Sequence, residues 1–179
     1  MSVGLRSMLT ETKFSLRQFK TKDLESVMDI NRTCLPENYA SFFFIDTHQS
    51  CPSGFIVAEV GLRIVGYIMC RIEHGFSDIK RIKFLRKGHI ISIAVLPEYR
   101  RAGIASELVK QALDALQEMK ADECYLEVRT TNETAIKLYE KLEFSLARRV
   151  SHYYADGAEA LVMVVTLDGN GLPSQNVQA

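Results

Sequence analysis

The chain has 179 residues, and its 22 Lys and Arg balance its 22 Asp and Glu, so its formal net charge is zero. This length predicts one domain that can bury a sizeable core without disulfide staples. The absence of a basic excess argues against strong nucleic-acid or membrane binding and predicts no nucleic-acid specificity. The four cysteines form no CxxC pair, which favours free thiols in a reducing compartment.

The ends of the chain differ from its body in composition. Residues 1–13 are expected to be a loose N-terminal extension, residues 14–167 the domain, and residues 168–179 a flexible tail. The longest apolar run, at 90–96, is too short to cross a bilayer, and residues 1–18 lack the apolar core of a secretory signal. We therefore expect a cytoplasmic protein without a membrane anchor.

The first elements are read from periodicity. Apolar and polar residues alternate over 14–19, which predicts a half-buried strand. Thr21 is a candidate cap for a helix whose apolar residues recur at helical spacing until Pro36 ends it. A second short helix is expected within 39–49.

The middle of the chain predicts three strands. Residues 55–60 and 64–72 indicate a hairpin around the turn at 61–63. Residues 74–88 are expected to be a long basic connection, which could meet a ribose phosphate or a ribosome but is more often a solvated face. The β-branched run at 88–96 is typical of a central strand.

The last part of the chain alternates helices and strands. An amphipathic helix is predicted over 101–121, a strand over 123–129, a helix over 130–142, and strands over 144–153 and 159–167. The predicted order is β-αα-βββ-α-β-α-ββ, which is an α+β fold with a mixed sheet.

The segment Arg100-Arg101-Ala102-Gly103-Ile104-Ala105 joins the central strand to the long helix. A helix start offers unpaired N–H donors and the positive end of the helix dipole. Gly103 has no Cβ, so an anion could approach the backbone there, with Arg100 and Arg101 supplying charge. The segment predicts a pyrophosphate cradle that is neither a Walker loop nor a GxGxxG fingerprint. An ordinary strand-to-helix turn with two surface arginines is the alternative.

This loop resembles the acetyl-CoA loop (Q/R-x-x-G-x-G/A) of the GNAT acyltransferase superfamily, with Ala105 where many members have glycine. Ser92-Ile93-Ala94-Val95 and Asn132-x-x-Ala135-x-x-Leu138-Tyr139 match the family in the same order. The resemblance covers residues 14–167. It implies a three-layer αβα fold, in which helices cover both faces of a mixed, mostly antiparallel sheet.

Four further segments resemble the amino-terminal acetyltransferase branch, most of all the NatA catalytic subunit in its free-standing archaeal form. They are Leu35-Pro36-Glu37-Asn38-Tyr39, Lys87-Gly88-His89, Leu126-Glu127-Val128-Arg129 and Tyr153-Tyr154-Ala155-Asp156-Gly157. The resemblance implies transfer of acetyl to the α-amino group of protein N-termini or nascent peptides. The implied first residues are small (Ser, Ala or Thr after Met removal), with Met-starting chains as a further candidate.

The resemblance also implies the donor site. Acetyl-CoA would pair its pantetheine arm with the backbone of residues 93–95 and rest its pyrophosphate on residues 101–106. Asn132 would bond a pantetheine amide or act only as a helix cap, and Tyr139 would protonate the thiolate or only pack in the core. The residues expected at the cofactor are Ile93, Ala94, Val95, Arg100, Arg101, Ala102, Gly103, Ile104, Ala105, Ser106, Asn132, Tyr139 and Lys141.

The acceptor asks little of a base. A protein α-amino group has a pKa of about 7.7–8.0, so its deprotonation at pH 7 costs about 1–1.4 kcal/mol, against roughly 4.6 kcal/mol for lysine. The candidate catalytic residues beside Tyr139 are Glu37, His89 and Glu127, and the choice of base among these three stays open. His89 and Glu127 could instead form a structural pair. Two such ligands make a weak metal site, so no metal is expected.

Strand alternation places His89 on one face with Ile91, Ile93 and Val95. It also places Glu127 on one face with Tyr125 and Arg129. A backbone N–H near Val95 would meet the oxyanion. The residues expected to contact the peptide are Leu35, Tyr39, Tyr153 and Tyr154.

The alternatives keep the fold and change the acceptor or the role. A lysine side-chain or small-amine N-acetyltransferase is one, and a non-catalytic acyl-CoA-binding subunit is another. The ribosome is a candidate partner, and the chain is expected to be a monomer or a weak dimer.

Overall fold

The computed structural model describes residues 13–80 and 82–167, so Arg81 and most of the two predicted loose ends lie outside the described residues. The order of the elements is the one that the sequence predicts. In chain order they are β1 Ser15–Gln18, α1 Leu24–Cys34, α2 Ser41–Ser50, β2 Phe55–Val60, β3 Arg63–Phe76, β4 Phe84–Val95, α3 Ile104–Glu118, β5 Glu123–Arg129, α4 Glu133–Lys141, β6 Ser145–Val150 and β7 Ala160–Thr166.

The strands form one sheet in the order β1-β2-β3-β4-β5-β7-β6. Neighbouring strands are antiparallel except β4 and β5, which are parallel. One core cluster packs α3 and α4 on one face of the sheet, and a second packs α1 and α2 on the other. The predicted α+β, three-layer arrangement with helices on both faces is confirmed.

The sheet opens between β4 and β5. These strands pair only where residues Lys87, Gly88 and His89 lie opposite Glu123, Cys124 and Tyr125. Beyond His89, β4 continues along β3 to Val95 while β5 pairs only with β7. Within the described residues, the edge of β4 that faces β5 is therefore free of a neighbouring strand from Ile90 to Val95.

A β-bulge at Ile91 accompanies this opening. Ile90 lies opposite Cys70 and Ser92 lies opposite Met69, so Ile91 is the extra residue on β4. Because the bulge shifts the alternation by one, Ile93 and Val95 pack on the α3 side, whereas Ile91 packs on the α1 side with the face that carries His89. The predicted common face of His89 with Ile93 and Val95 was wrong.

The predicted long connection at 74–88 was also wrong. β3 runs to Phe76 and β4 begins at Phe84, so both strands of this hairpin extend well beyond their predicted ends. Polar groups anchor the hairpin loop to the sheet, because Ser77 and the main-chain N–H of Asp78 bind the Glu123 carboxylate. Lys87, a buried residue, pairs with Asp78. These contacts explain how polar residues hold a strand pair that composition marks as a loop.

Gly88 allows α3 to pack closely on β4. A Cβ built at Gly88 would lie 2.6 Å from Leu116 Cδ1 and 3.1 Å from Leu116 Cγ, and Leu116 is fully buried. We expect Gly88→Ala to destabilise the fold by about 1–3 kcal/mol through overpacking. Gly75→Ala is the matched control, because its Cβ would meet only Lys87 Cδ at 3.9 Å. Thermal unfolding of both variants measures the difference, and equal midpoints would contradict this packing.

The predicted Thr21 cap was wrong, because α1 begins after Asp23, which is its N-cap residue. A single 3₁₀ turn spans Thr21–Asp23, and Asp23 Oδ2 accepts a hydrogen bond from Lys20 N at 2.8 Å. The buried Asp23 carboxylate also binds Arg17 Nη1 at 2.6 Å, and Arg17 Nη2 binds Glu59 at 2.6 Å. Burial raises the pKa of Asp23, but the hydrogen bonds from Arg17 and Lys20 outweigh it and lower the pKa below its ordinary value.

Asp23→Asn is expected to lower the free energy of unfolding by about 1–3 kcal/mol at neutral pH. Because the folded-state pKa is depressed, this advantage of the native chain is complete above the unfolded-state pKa of about 3.9 and is lost as pH falls through the folded-state pKa. Denaturant unfolding from pH 7 to pH 2 measures it. Asp46→Asn, at an exposed position, is the control. A difference between Asp23→Asn and the native chain that grows toward low pH would contradict the prediction.

Candidate active site

Two loops meet at the end of β5. Residues 35–40 follow α1, and residues 151–159 join β6 to β7. Strand alternation puts Glu127 and Arg129 on one face of β5, as predicted. Glu37 from the first loop and Asp156 from the second both reach Arg129. The site is built where these two loops close over the sheet.

Arg129 holds the two loops together. Its Nη2 donates to Glu37 Oε1 at 2.5 Å and its Nη1 donates to Asp156 Oδ2 at 2.8 Å. The guanidinium carbon lies 3.9 Å from the centre of the Tyr154 ring, a cation–π contact. Arg129 lies in one of the motifs that the sequence showed, but no role was predicted for it. Its position two residues after Glu127 on the same strand face was the signal.

Asn31, on α1, holds the 35–40 loop in place through hydrogen bonds to its main chain. It is 1% exposed, and its Nδ2 donates to Glu37 O at 3.2 Å and to Tyr67 Oη at 3.0 Å. Its Oδ1 accepts from Tyr39 N at 3.4 Å. No role was predicted for Asn31 from the sequence. The signal was a polar residue four positions after Val27, on the buried face of α1.

Tyr39, Tyr153 and Tyr154, which are predicted to contact the peptide, lie near the carboxylates of Glu37 and Glu127. Burial, with Glu37 and Glu127 adding to it, raises the pKa of Tyr39. Burial and the neighbouring Glu127 raise the pKa of Tyr153 to about 12, and burial followed by Glu37 raises that of Tyr154. All three phenols therefore stay protonated at neutral pH and can donate hydrogen bonds. Leu35 is half-buried and packs on the α1-side core.

His89 and Glu127 lie together, as the sequence analysis anticipated for either a catalytic or a structural pair. His89 Nε2 is 2.8 Å from Glu127 Oε2, and the two side chains are 10% and 14% exposed. The His89 ring stacks on Tyr125 with centroids 4.3 Å apart. A nearly buried carboxylate in contact with an imidazole can accept and hold a proton.

The free edge of β4 presents main-chain groups. Leu96 N donates to Val65 O on β3 at 2.9 Å, so antiparallel alternation directs the N–H and C=O of Ile93 and Val95 to the opposite, open edge. Ala94 pairs toward β3 instead, opposite Tyr67. Val95 O accepts from Arg100 Nε at 3.0 Å and is 3.6 Å from Cys34 Sγ. Of the predicted residues Ile93, Ala94 and Val95, only Ile93 and Val95 can therefore offer backbone groups to a ligand at this edge.

The start of α3 has the geometry of an anion site. Gly103 has φ +83°, a left-handed conformation that favours glycine, and the space before it is open. Glu107 N donates to Gly103 O at 3.1 Å. The N–H groups of Ile104, Ala105 and Ser106 precede this first helical bond, so they have no partner within the helix. Among the other predicted cofactor residues, Arg101 and Lys141 are exposed and Ala102 is half-buried.

Asn132 and Tyr139 complete the donor side. Asn132 Oδ1 accepts from Ala135 N at 3.2 Å and caps α4, while its Nδ2 makes no hydrogen bond within residues 13–80 and 82–167. The cap and a contact with a ligand are thus compatible. Tyr139 is 5% exposed, and burial together with the neighbouring Tyr154 raises the pKa of its hydroxyl. The Tyr139 phenol is therefore protonated at neutral pH.

Three general properties concern the described part of the chain. In the described ranges no group of three or more His, Cys, Asp or Glu side chains is arranged to hold a metal ion. No helix in the part of the chain that the structure describes is long and apolar enough to cross a bilayer. The four cysteines are free thiols, three of them buried.

The Acetyltransferase (GNAT) family model matches residues 24–144. The chain belongs to this family, and its donor is acetyl-CoA. It is 45% identical over 157 residues to the N-alpha-acetyltransferase of Sulfurisphaera tokodaii, covering 87% of this chain and 94% of the relative. It is 47% identical over 152 residues to the N-alpha-acetyltransferase of Saccharolobus solfataricus, covering 84% and 91%.

Solved structures agree with these relatives. Ard1 from Thermoplasma volcanium superposes with a TM-score of 0.75 at 31% identity, covering 86% of this chain and 97% of that one. Arabidopsis thaliana Naa50 in complex with the bisubstrate analogue CoA-Ac-MVNAL superposes with a TM-score of 0.74 at 28% identity, covering 86% and 98%. The predicted family, fold and enzyme class are confirmed.

Proposed function

We infer that the chain transfers the acetyl group of acetyl-CoA to the α-amino group of protein N-termini. The observation that carries this proposal is the cluster of side chains where the two loops meet at the end of β5. There Glu37, Glu127 and the phenols described above face each other beside the free edge of β4. The names of the archaeal relatives support the same reaction.

The donor lies along the free edge of β4. The pantetheine arm takes hydrogen bonds from and to the main chain of Ile93 and Val95, like an added strand. Its pyrophosphate rests on residues 101–106, where unpaired N–H groups and the helix dipole favour negative charge. Asn132 Nδ2 donates to a pantetheine amide, and Arg100, Arg101 and Lys141 supply positive charge around the phosphates.

The acceptor enters between the two loops. Its ammonium group loses one proton, relayed to His89 and Glu127, and the neutral amine attacks the thioester carbon. The N–H of Val95 at the open edge stabilises the oxyanion. The C–S bond then breaks, and Tyr139 gives its proton to the thiolate so that free CoA leaves. The second proton of the nitrogen restores the Tyr139 phenol, so that each turnover releases one proton in total.

The first residue of the substrate is small in this proposal. Leu35, Tyr39 and Tyr153 surround the position beside the amine, and the Arg129 bridge holds both loops close. Large first side chains would need the loops to separate. Ser, Ala and Thr are the proposed first residues of the substrate. Met is a further candidate and has the longest first side chain in this proposal.

A panel of peptides that differ only at position one tests this proposal. Each is incubated with acetyl-CoA, and released CoA is measured as initial rates. Peptides that begin with Ser or Ala should give kcat/KM values at least about tenfold above those that begin with Leu or Glu, a difference of about 1.4 kcal/mol. Equal values across the panel would contradict the proposed pocket.

We propose that the enzyme works in the cytoplasm as a monomer or weak dimer, acting on nascent chains at the ribosome. The free thiols support a reducing compartment. Gel filtration of the active purified chain tests the oligomeric state, and cosedimentation with ribosomes tests the partner. Elution as a larger stable assembly would contradict the proposed monomer or weak dimer. Absence of the chain from the ribosomal pellet would contradict action at the ribosome.

A further inference from the structure

Glu73 lies on β3 beside His89. Its Oε1 is 3.3 Å from His89 Nδ1, and its Oε2 accepts a hydrogen bond from Tyr125 Oη at 2.6 Å. Arg71, the residue opposite His89 across the β3–β4 pair, forms an ion pair with the same carboxylate. The predicted strand ended at residue 72, so Glu73 was not among the predicted site residues.

Both nitrogens of His89 thus face carboxylates. Nε2 is within hydrogen-bonding distance of Glu127, and Nδ1 is within hydrogen-bonding distance of Glu73. A neutral imidazole has one N–H and can donate to only one of these, whereas an imidazolium donates to both. The group of three side chains therefore completes its hydrogen bonds by taking up one proton.

The cations that flank His89 on β3 and β4 are each already paired with a carboxylate. Arg71 is paired with Glu73, and Lys87 is paired with Asp78 while its Nζ lies 4.4 Å from the Tyr125 ring centre. Burial raises the pKa of Glu73, but the Tyr125 hydrogen bond and the charges of His89 and Arg71 outweigh it and lower the pKa. Glu73 is therefore ionised at neutral pH.

We propose that Glu73 is a positioning residue for the base. It aims His89 Nε2 at Glu127, and the three side chains together accept the one proton that each turnover releases. The balance is one ammonium and one thioester giving one amide, one free thiol and one proton. The proton passes from the ammonium to the His89–Glu127 contact and then to solvent. This inference rests on the proposed function.

The test compares the pH dependence of kcat/KM in the native chain, Glu73→Gln and Glu73→Asp, with a Ser-starting peptide. Glutamine keeps the size of the side chain and removes its charge. We expect kcat to fall about tenfold. We also expect the acidic limb of the profile to move to lower pH, because the substitution removes a carboxylate that lies 3.3 Å from His89 Nδ1. KM for acetyl-CoA should not change, and Glu73→Asp should recover part of both effects.

The exposed Glu118→Gln is the matched control and should follow the native profile. Tyr125→Phe is the second variant, because it keeps the Glu73 charge and removes the bond that aims it. It should move the acidic limb in the same direction by less. An unmoved limb in Glu73→Gln, or in Tyr125→Phe if Glu73→Gln does not fold, would overturn this inference. A native chain that does not acetylate the peptide would instead overturn the proposed function.

Discussion

Glu127→Gln is expected to lower kcat by about two orders of magnitude while KM for acetyl-CoA changes little. Glu127 is 14% exposed, and its Oε2 lies 2.8 Å from His89 Nε2, where a carboxylate can take up the proton of the ammonium. Glutamine has nearly the same shape but cannot hold the proton that leaves the ammonium. Steady-state rates with a Ser-starting peptide at pH 7.5 measure the effect.

The control for this prediction is Glu25→Gln, an exposed residue in the first turn of α1. It should retain the native kcat. If Glu127→Gln stays within about threefold of the native rate and Glu37→Gln does not, the proton leaves through Glu37, and the proposed route through His89 is wrong.

Arg129→Leu is expected to lower kcat/KM for the peptide by about a hundredfold, mainly through a higher peptide KM. The substitution removes the bonds to Glu37 and Asp156 and the contact with the Tyr154 ring. Two carboxylates then face each other without a cation, so both loops move away from the acceptor. Kinetics with peptide varied at saturating acetyl-CoA, and then the reverse, separate the two KM values.

Two further variants test whether the effect of Arg129→Leu comes from the bridge between the two loops. Arg129→Lys restores the charge but not the fork that bonds both carboxylates, so it should recover only part of the activity. Arg63→Leu removes a comparable ion pair, with Glu98 at 3.2 Å, and a cation–π contact with Tyr99, both away from the two loops, and should leave the peptide KM unchanged. A rise in the peptide KM of Arg63→Leu as large as in Arg129→Leu would show that the effect is not specific to the loop bridge.

The order and type of the elements could be predicted from the sequence because each carries its own periodicity. The α3 stripe and the apolar strands at 55–60 and 123–129 require no distant information. The β3–β4 hairpin could not be predicted in the same way. Its outer residues are polar or basic and are held in place by Glu123, whose side chain bonds Ser77 from 46 positions away. The bulge at Ile91 likewise depends on pairing with β3.

The residues of the candidate site also differ in whether local sequence could predict them. Motifs identified the loop at 101–106, Glu37, Glu127 and the tyrosines, because each lies in a short recognisable segment. Arg129 and Glu73 have roles that depend on partners from elsewhere in the chain. The Glu37–Arg129 bond joins residues 92 positions apart, and Tyr125 reaches Glu73 across 52 positions. Local patterns carry no information about such contacts.

The most direct test of the central claim uses two peptides of one sequence, Ser-starting with a single internal lysine. One has a free amino terminus and the other is already acetylated there. Each is incubated with the enzyme and acetyl-CoA, and the modified position is read by tandem mass spectrometry. The account predicts acetylation of the free α-amino group and no reaction of the blocked peptide. Equal acetylation of the lysine in both peptides would contradict it and identify a side-chain acetyltransferase.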